Sequence, residues 1–197
     1  IVTDEFAERI AALPEVMPQF HLSLQSGSAG VLSRMRRRYA KEEYTRSVGR
    51  LRRALPGCAI TTDILTGFPG ETDAEAGETL DFVRACAFAR IHVFPYSRRS
   101  GTAADRMDGQ IPEEIKRSRA RELLGLGNKL EEAFVESLTG TVQEVLFERP
   151  AGGTGAEGYT GQYVRVQAEA RPGEIRSVRI LRREGALAFG EVTQDGR

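Results

Sequence analysis

Apolar positions along the chain follow one rhythm up to about residue 137 and another beyond it. In "TDEFAERIAAL" (3–13), Phe6, Ile10 and Leu13 recur at helical spacing, with Thr3 or Asp4 as cap and Pro14 to Pro18 as the stop. "FHLSLQSGS" (20–28) alternates apolar and polar residues and then turns, which predicts a strand and a loop. Residues 29–55 carry two helical pieces joined near Ala40-Lys41, and the second stops before Pro56-Gly57. A strand over 59–68, a helix over 73–88 with Leu80, Val83 and Ala87 on one face, and a strand over 90–97 complete the run. Pro112 opens a long amphipathic helix whose stripe is Ile115, Leu123, Leu126, Leu130 and Phe134.

Helix and strand alternating at about 30-residue spacing is the pattern of parallel βα units. The three strands end in "QSGS", "GFPGET" and "PYSRRSGT". In βα barrels chemistry gathers at that C-terminal strand edge, so the three turns are expected to converge on one site. Three strands cannot close a barrel, and the chain opens Ile-Val without Met, so it is expected to be cut from something longer. From Thr139 only short strands remain, "TVQEVLFE", "YVRVQAEA" and "IRSVRILR". The glycine-rich "AGGTGAEG" (151–158) reads as a long hairpin loop and is wrongly placed for a phosphate loop. The fold class is therefore α/β plus all-β: a partial (βα) barrel with its linker helix over 1–137, then a small OB-like β-barrel over 138–197.

Charge changes this picture locally. The net charge is zero. Yet Arg34 to Arg53 holds nine bases against two acids, while Ala54 to Val83 holds six acids and no base. The basic block suits a phosphate or a cofactor carboxylate; a solvated helix face with an acidic neighbour explains it equally. In the second domain Arg176, Arg179, Arg182 and Arg183 crowd one strand and its exit. Beside Tyr159 and Tyr163 they would make a stacking and phosphate surface for RNA, against the plainer reading of an ordinary barrel exterior. Cys58 and Cys86 lie 28 residues apart without metal-ligand spacing and are expected to be buried, reduced and cytoplasmic. His21 and His92 are expected to be packed strand residues. No apolar run approaches the roughly 18 residues of a membrane span.

"HLSLQSGS", "MRRRYAKEEY" (35–44), "TDILTGFPGET" (62–72) and "IHVFPYSRRSGTAADRM" (91–107) occur in the order and spacing of radical-SAM methylthiotransferases, which the chain resembles over essentially its whole length. "GYTGQYVRV" (158–166) resembles the RNA-binding TRAM domain that ends those enzymes. "HVFPYSRRSGT" is most similar to the branch acting on threonylcarbamoyladenosine in tRNA. The branches acting on isopentenyladenosine or a ribosomal-protein aspartate are the nearest alternatives.

The resemblance implies S-adenosylmethionine and 4Fe-4S clusters as cofactors and the tRNA anticodon arm as partner. It further implies that C2–H of a modified adenosine is replaced by a methylthio group. Gly67, Phe68, Gly70 and Glu71 fall on the turn that the family lays against the adenine side of the cofactor. Gln25 and Ser26 match the position that hydrogen-bonds its ribose. Arg37 matches the base expected on the methionine carboxylate, with Arg36 and Arg38 as neighbours that could shift the assignment by one position. Tyr96 and Ser97 end the third strand within reach of cofactor or substrate. The family's cluster-binding cysteines have no counterpart in this chain, so alone it is expected to be inactive, with its missing N-terminal part as a further partner. Two readings of other classes remain: an RNA-binding module only, and a cofactor-free hydrolase, for which Asp63 and Glu71 offer a weak carboxylate pair.

Overall fold

A computed structural model describes residues 2–193, which fall into two compact units. The first comprises residues up to 16 and 20–130, the second residues 17–19 and those from 131 on.

In the first unit, α1 (Asp4–Ala11) starts where Thr3 accepts a hydrogen bond from Phe6 N at 3.1 Å. β1 (Gln19–His21) is short, and α2 (Ala29–Arg34) and α3 (Lys41–Ala54) follow as two separate helices. Ala40 is the N-cap of α3 and supplies no side-chain cap. β2 (Ala59–Thr66) pairs in parallel with β3 (Arg90–Pro95), from Thr61 opposite Arg90 to Thr66 opposite Pro95. Between them, α4 (Asp73–Cys86) is held by a capping box in which Thr72 and Glu75 satisfy each other's backbone N–H groups. The sheet order is β1-β2-β3.

The expected strand over 20–28 is cut short. Beyond His21, Leu24 N donates to the Thr62 hydroxyl rather than to a carbonyl, and Gln25 adopts φ 70°. Pairing returns only as a single bridge from Gln25 to Ile64.

Strand alternation gives the sheet two chemically distinct faces. Ile60, Ile64 and Ile91 join Leu24, Val48, Leu51, Val83, Phe88 and Leu123 in a core beneath the helices. Thr61, Asp63 and Leu65 point the other way. α5 (Glu113–Glu136) carries Leu123 and Leu126 onto that core, and its Gly127 lets Ile91 approach closely. Cys58 and Cys86 are buried free thiols. His21 is hydrogen-bonded within the sheet, its Nδ1 3.0 Å from the Thr61 hydroxyl and its Nε2 3.3 Å from Asp63.

The second unit is a closed barrel in the order β4-β5-β6-β8-β7: β4 (Val142–Pro150), β5 (Gly155–Thr160), β6 (Arg165–Glu169), β7 (Ile175–Glu184) and β8 (Leu187–Val192). Among the described strand pairs of the barrel, β6–β8 alone is parallel. Val145, Phe147, Val166, Val178 and Ile180 fill its interior. The glycine-rich hairpin is shorter than expected, because Gly155 to Gly158 already belong to β5. Gly158 lies so close to β4 that a Cβ there would sit 2.1 Å from the Leu146 carbonyl oxygen. Small residues are what permit this strand crossing. Among the described residues no helix is long and apolar enough to cross a membrane.

Candidate functional site

The turn after β2 is a glycine-dependent bracket. Gly67 and Gly70 have φ of 71° and 76°, a region that costs other residues about 1–2 kcal/mol. A Cβ on Gly67 would come within 2.3 Å of Lys116 Cγ. Gly67 N donates to Glu71 Oε2 at 2.6 Å, and Gly70 N donates to the Gly109 carbonyl at 2.8 Å. Glu71 is buried, and the same oxygen accepts from Arg119 Nη1 at 2.9 Å. Burial pushes its carboxyl above the usual range, with the Gly67 N–H and the Arg119 guanidinium pulling back. The acid after the turn therefore shapes the turn. Asp63, engaged by His21, is not its partner, which removes the carboxylate-pair reading.

Beside this bracket lies a cleft of about 600 Å³ lined by Gln25, Arg34, Arg36, Arg37, Phe68 and Tyr96, with Met35, Leu65, Ala103, Ala104 and Met107 as apolar wall. Leu65 near the end of β2, Tyr96 just past β3, and Gln25 at the isolated bridge beyond β1 all reach it. Phe68 and Tyr96 meet edge to face, with ring centroids 5.5 Å apart. Among the described residues no carboxylate pairs with Arg36, Arg37 or Arg38, and all three are exposed. Arg34 differs. Its Nη2 donates to Glu75 at 2.7 Å, fixing the guanidinium, while its buried Nε has no hydrogen-bond partner among the described residues. The buried Tyr96 hydroxyl likewise has none among them. Buried polar atoms without partners are costly and rare, and both belong to side chains that line the cleft.

Of the nine residues expected at a cofactor, the cleft gathers Gln25, Arg37, Phe68 and Tyr96. Gly67, Gly70 and Glu71 stand behind it as its bracket. Ser26 is fully buried, its hydroxyl 3.1 Å from that of Thr79 and accepting from Ser28 N, so it serves the loop and does not line the cleft. Ser97 is exposed outside the lining. The sequence reading assigns neither Arg34, which opens the basic block, nor Met107, which ends the fourth motif, to the cofactor, because only folding reveals which way they face.

The cysteines do not fit an iron–sulfur cluster. Burial raises both thiols, that of Cys86 to about 11, and among the described residues no group of three or more His, Cys, Asp or Glu is placed to hold a metal.

On the barrel, Tyr159 and Tyr163 come together, with ring centroids 5.7 Å apart, in a second cleft of about 570 Å³. The arginines do not join them. Glu144, Leu146, Glu148 and Ile175 line that cleft, and none of the four expected arginines does. Arg183 binds Glu132 and Glu136 at 3.2 and 2.9 Å, and Arg179 donates to the Gly140 carbonyl at 3.3 Å. Arg176 lies 3.7 Å from Glu174, and Arg182 pairs with Glu184 while stacking on Phe189. A register shift between Ile180 and Arg182, added to strand alternation, divides among several directions what the sequence brings together.

Residues 1–83 match the family model described as the radical SAM superfamily. The threonylcarbamoyladenosine tRNA methylthiotransferase MtaB of Bacillus subtilis is 38% identical over 188 residues, covering 92% of this chain and 42% of that protein. Its counterpart of the same name in Thermotoga maritima is 38% identical over 190 residues, covering 95% and 44%. The tRNA-2-methylthio-N(6)-dimethylallyladenosine synthase of Acidothermus cellulolyticus is 41% identical over 186 residues, covering 90% and 37%. The chain thus spans less than half the length of each of these relatives.

Proposed function

Because the chain belongs to the radical-SAM methylthiotransferase family, we propose that it binds S-adenosylmethionine within a longer enzyme that methylthiolates C2 of N6-threonylcarbamoyladenosine next to the tRNA anticodon. One observation carries the cofactor reading: Gln25, the end of β2 and the residue after β3 share a single cleft, and among the described residues its buried Tyr96 hydroxyl and Arg34 Nε have no hydrogen-bond partner. Phe68 and Tyr96, packed edge to face, would form one wall against the adenine, Gln25 would face the ribose, and Arg37 would take the amino-acid carboxylate. Arg34 is held by Glu75 and needs no reorganisation to offer its Nε. Met35, Leu65 and Met107 form the apolar wall of the same space. When bound, S-adenosylmethionine supplies the methyl group and the equivalent that removes hydrogen from carbon.

Cluster chemistry is assigned to no residue of this chain. Ligands for the 4Fe-4S clusters would come from the remainder of the longer protein, and this chain alone would bind cofactor without cleaving it. The barrel would hold the anticodon arm, with the Tyr159–Tyr163 pair receiving a splayed base. We place the protein in the cytoplasm, where its tRNA substrate is found.

Deleting the gene and analysing tRNA nucleosides by mass spectrometry tests the substrate. Loss of 2-methylthio-N6-threonylcarbamoyladenosine is expected, and its persistence would overturn the assignment. Relatives of the dimethylallyladenosine type match nearly as much of the chain, which favours one alternative. Loss of the methylthio-isopentenyl nucleoside instead would select it.

A further inference from the structure

Lys116 is out of place by composition. It stands in the first turn of α5 with its side chain 2% exposed, among residues as thoroughly buried as Phe88 and Ile64. Its ammonium donates to the Tyr96 carbonyl at 2.9 Å and to Glu113 Oε1 at 2.6 Å, and it lies 5.3 Å from the centroid of the Tyr96 ring. Its stem fills the space left by the missing Cβ of Gly67. Glu113 is 67% exposed, so the countercharge stays at the surface while the cation is carried inward.

Burying an ammonium is costly unless it is paired, and an apolar side chain of similar volume would fill the same space without that cost. Packing alone therefore does not account for a lysine here. What the charge reaches is specific: the carbonyl and the ring of a residue that walls the cleft. Tyr96 N is already tied to the Thr66 carbonyl at 2.8 Å. With Lys116 on its own carbonyl, Tyr96 is fixed on both sides, and its ring in turn backs Phe68 edge to face.

Resting on the reading of this cleft as the cofactor site, we infer that Lys116 is a positioning residue. Its buried ammonium locks Tyr96, and through it Phe68, in the arrangement that receives the adenosyl group. It touches no reacting atom and acts only through Tyr96.

The test uses the 197-residue chain labelled with 3-fluorotyrosine, in which Tyr96→Phe identifies one of five resonances. Lys116→Met is expected to shift or broaden the Tyr96 signal. It should also weaken S-adenosylhomocysteine binding by about tenfold, the scale of one lost charge-assisted hydrogen bond. Lys116→Arg should restore most of both. Combined with Tyr96→Ala, Lys116→Met should add nothing further, since its effect runs through that side chain. An unmoved Tyr96 signal, or effects of Lys116→Met and Tyr96→Ala that multiply, would overturn the inference. If Lys116→Met does not fold, Lys116→Gln carries the same comparison. If the wild-type chain fails to bind S-adenosylhomocysteine while the Tyr96 signal still answers to Lys116, the cofactor reading falls and the brace stands.

Discussion

Arg119 Nη1 lies 2.9 Å from Glu71 Oε2, the same oxygen that accepts the Gly67 N–H at 2.6 Å. One carboxylate thus joins the glycine turn after β2 to a helix that begins about forty residues later in the chain. With the Glu71 and Arg119 side chains 3% and 11% exposed, removing either leaves the other charged and poorly solvated. Arg119→Met should therefore destabilise the chain by about 3–5 kcal/mol, the usual cost of breaking a buried pair. Urea unfolding followed by circular dichroism measures it. A cost under about 1 kcal/mol, typical of an exposed pair, would show that the pair is solvated.

Gly67→Ala offers a sharper comparison. Both Gly67 and Gly101 have positive φ, 71° and 85°. At Gly101 a Cβ meets nothing within 4 Å, whereas at Gly67 it runs into the stem of Lys116. Gly101→Ala should then cost only the left-handed strain of about 1–2 kcal/mol. Gly67→Ala should cost clearly more and also reduce S-adenosylhomocysteine binding. Equal melting temperatures for the two variants would refute the close approach.

How far the sequence revealed these relationships depends on their range. α1, α3 and α4 were legible because spacing and capping are local: Thr3 and the Thr72–Glu75 box are written within four residues. β5 was not, because Gly155, Ala156 and Gly158 look like loop until the barrel pairs this segment with β4 and β6 and brings the Leu146 carbonyl against Gly158. Glu71 stands in the turn that the sequence singles out, yet its partner Arg119 is 48 positions away and nothing local announces it. Ser26 follows the same logic, since Thr79 claims its hydroxyl from 53 positions away. The β7 arginines misled for the opposite reason. Adjacency along a strand places side chains on alternating faces.

Within the cleft, the role of Arg37 should show as a difference between two ligands. S-adenosylhomocysteine carries a carboxylate, and 5′-methylthioadenosine does not. Arg37→Ala should weaken the first by about tenfold, consistent with a lost charged contact, and leave the second unchanged. Isothermal titration of both ligands decides it. Equal losses would mean that the variant disturbs the cleft rather than a carboxylate contact, and no loss would release the basic block for RNA.

Glu75 gives a pH signature. Burial raises its carboxyl, but hydrogen bonds from Arg34 and Thr72 outweigh this and hold it below the ordinary range. A carboxylate with a depressed folded value contributes stability that is fully present above its unfolded value of about 4.3. That contribution is lost as the pH falls through the lower, folded value. Glu75→Gln should therefore lower the melting temperature at pH 7, and the gap from wild type should narrow below about pH 4. A gap unchanged between pH 7 and pH 3 would mean that the charge on Glu75 plays no part.

RNA binding by the barrel should follow the tyrosines rather than the arginine run. Tyr163 is 65% exposed and meets Tyr159 in an open cleft, whereas Arg183 is taken up by Glu132 and Glu136. An arginine neutralised within the protein releases few counterions from RNA, so Arg183→Ala should leave the slope of log affinity against log salt nearly unchanged. Tyr163→Ala, if the ring stacks on a base, should weaken anticodon-arm binding by about 1–3 kcal/mol with little change in that slope. Fluorescence anisotropy with an anticodon stem-loop, measured across a salt series, reads both quantities at once. A steep loss of slope in Arg183→Ala together with no effect of Tyr163→Ala would reverse the assignment, and would mean that the Glu132 and Glu136 pairs give way when RNA arrives.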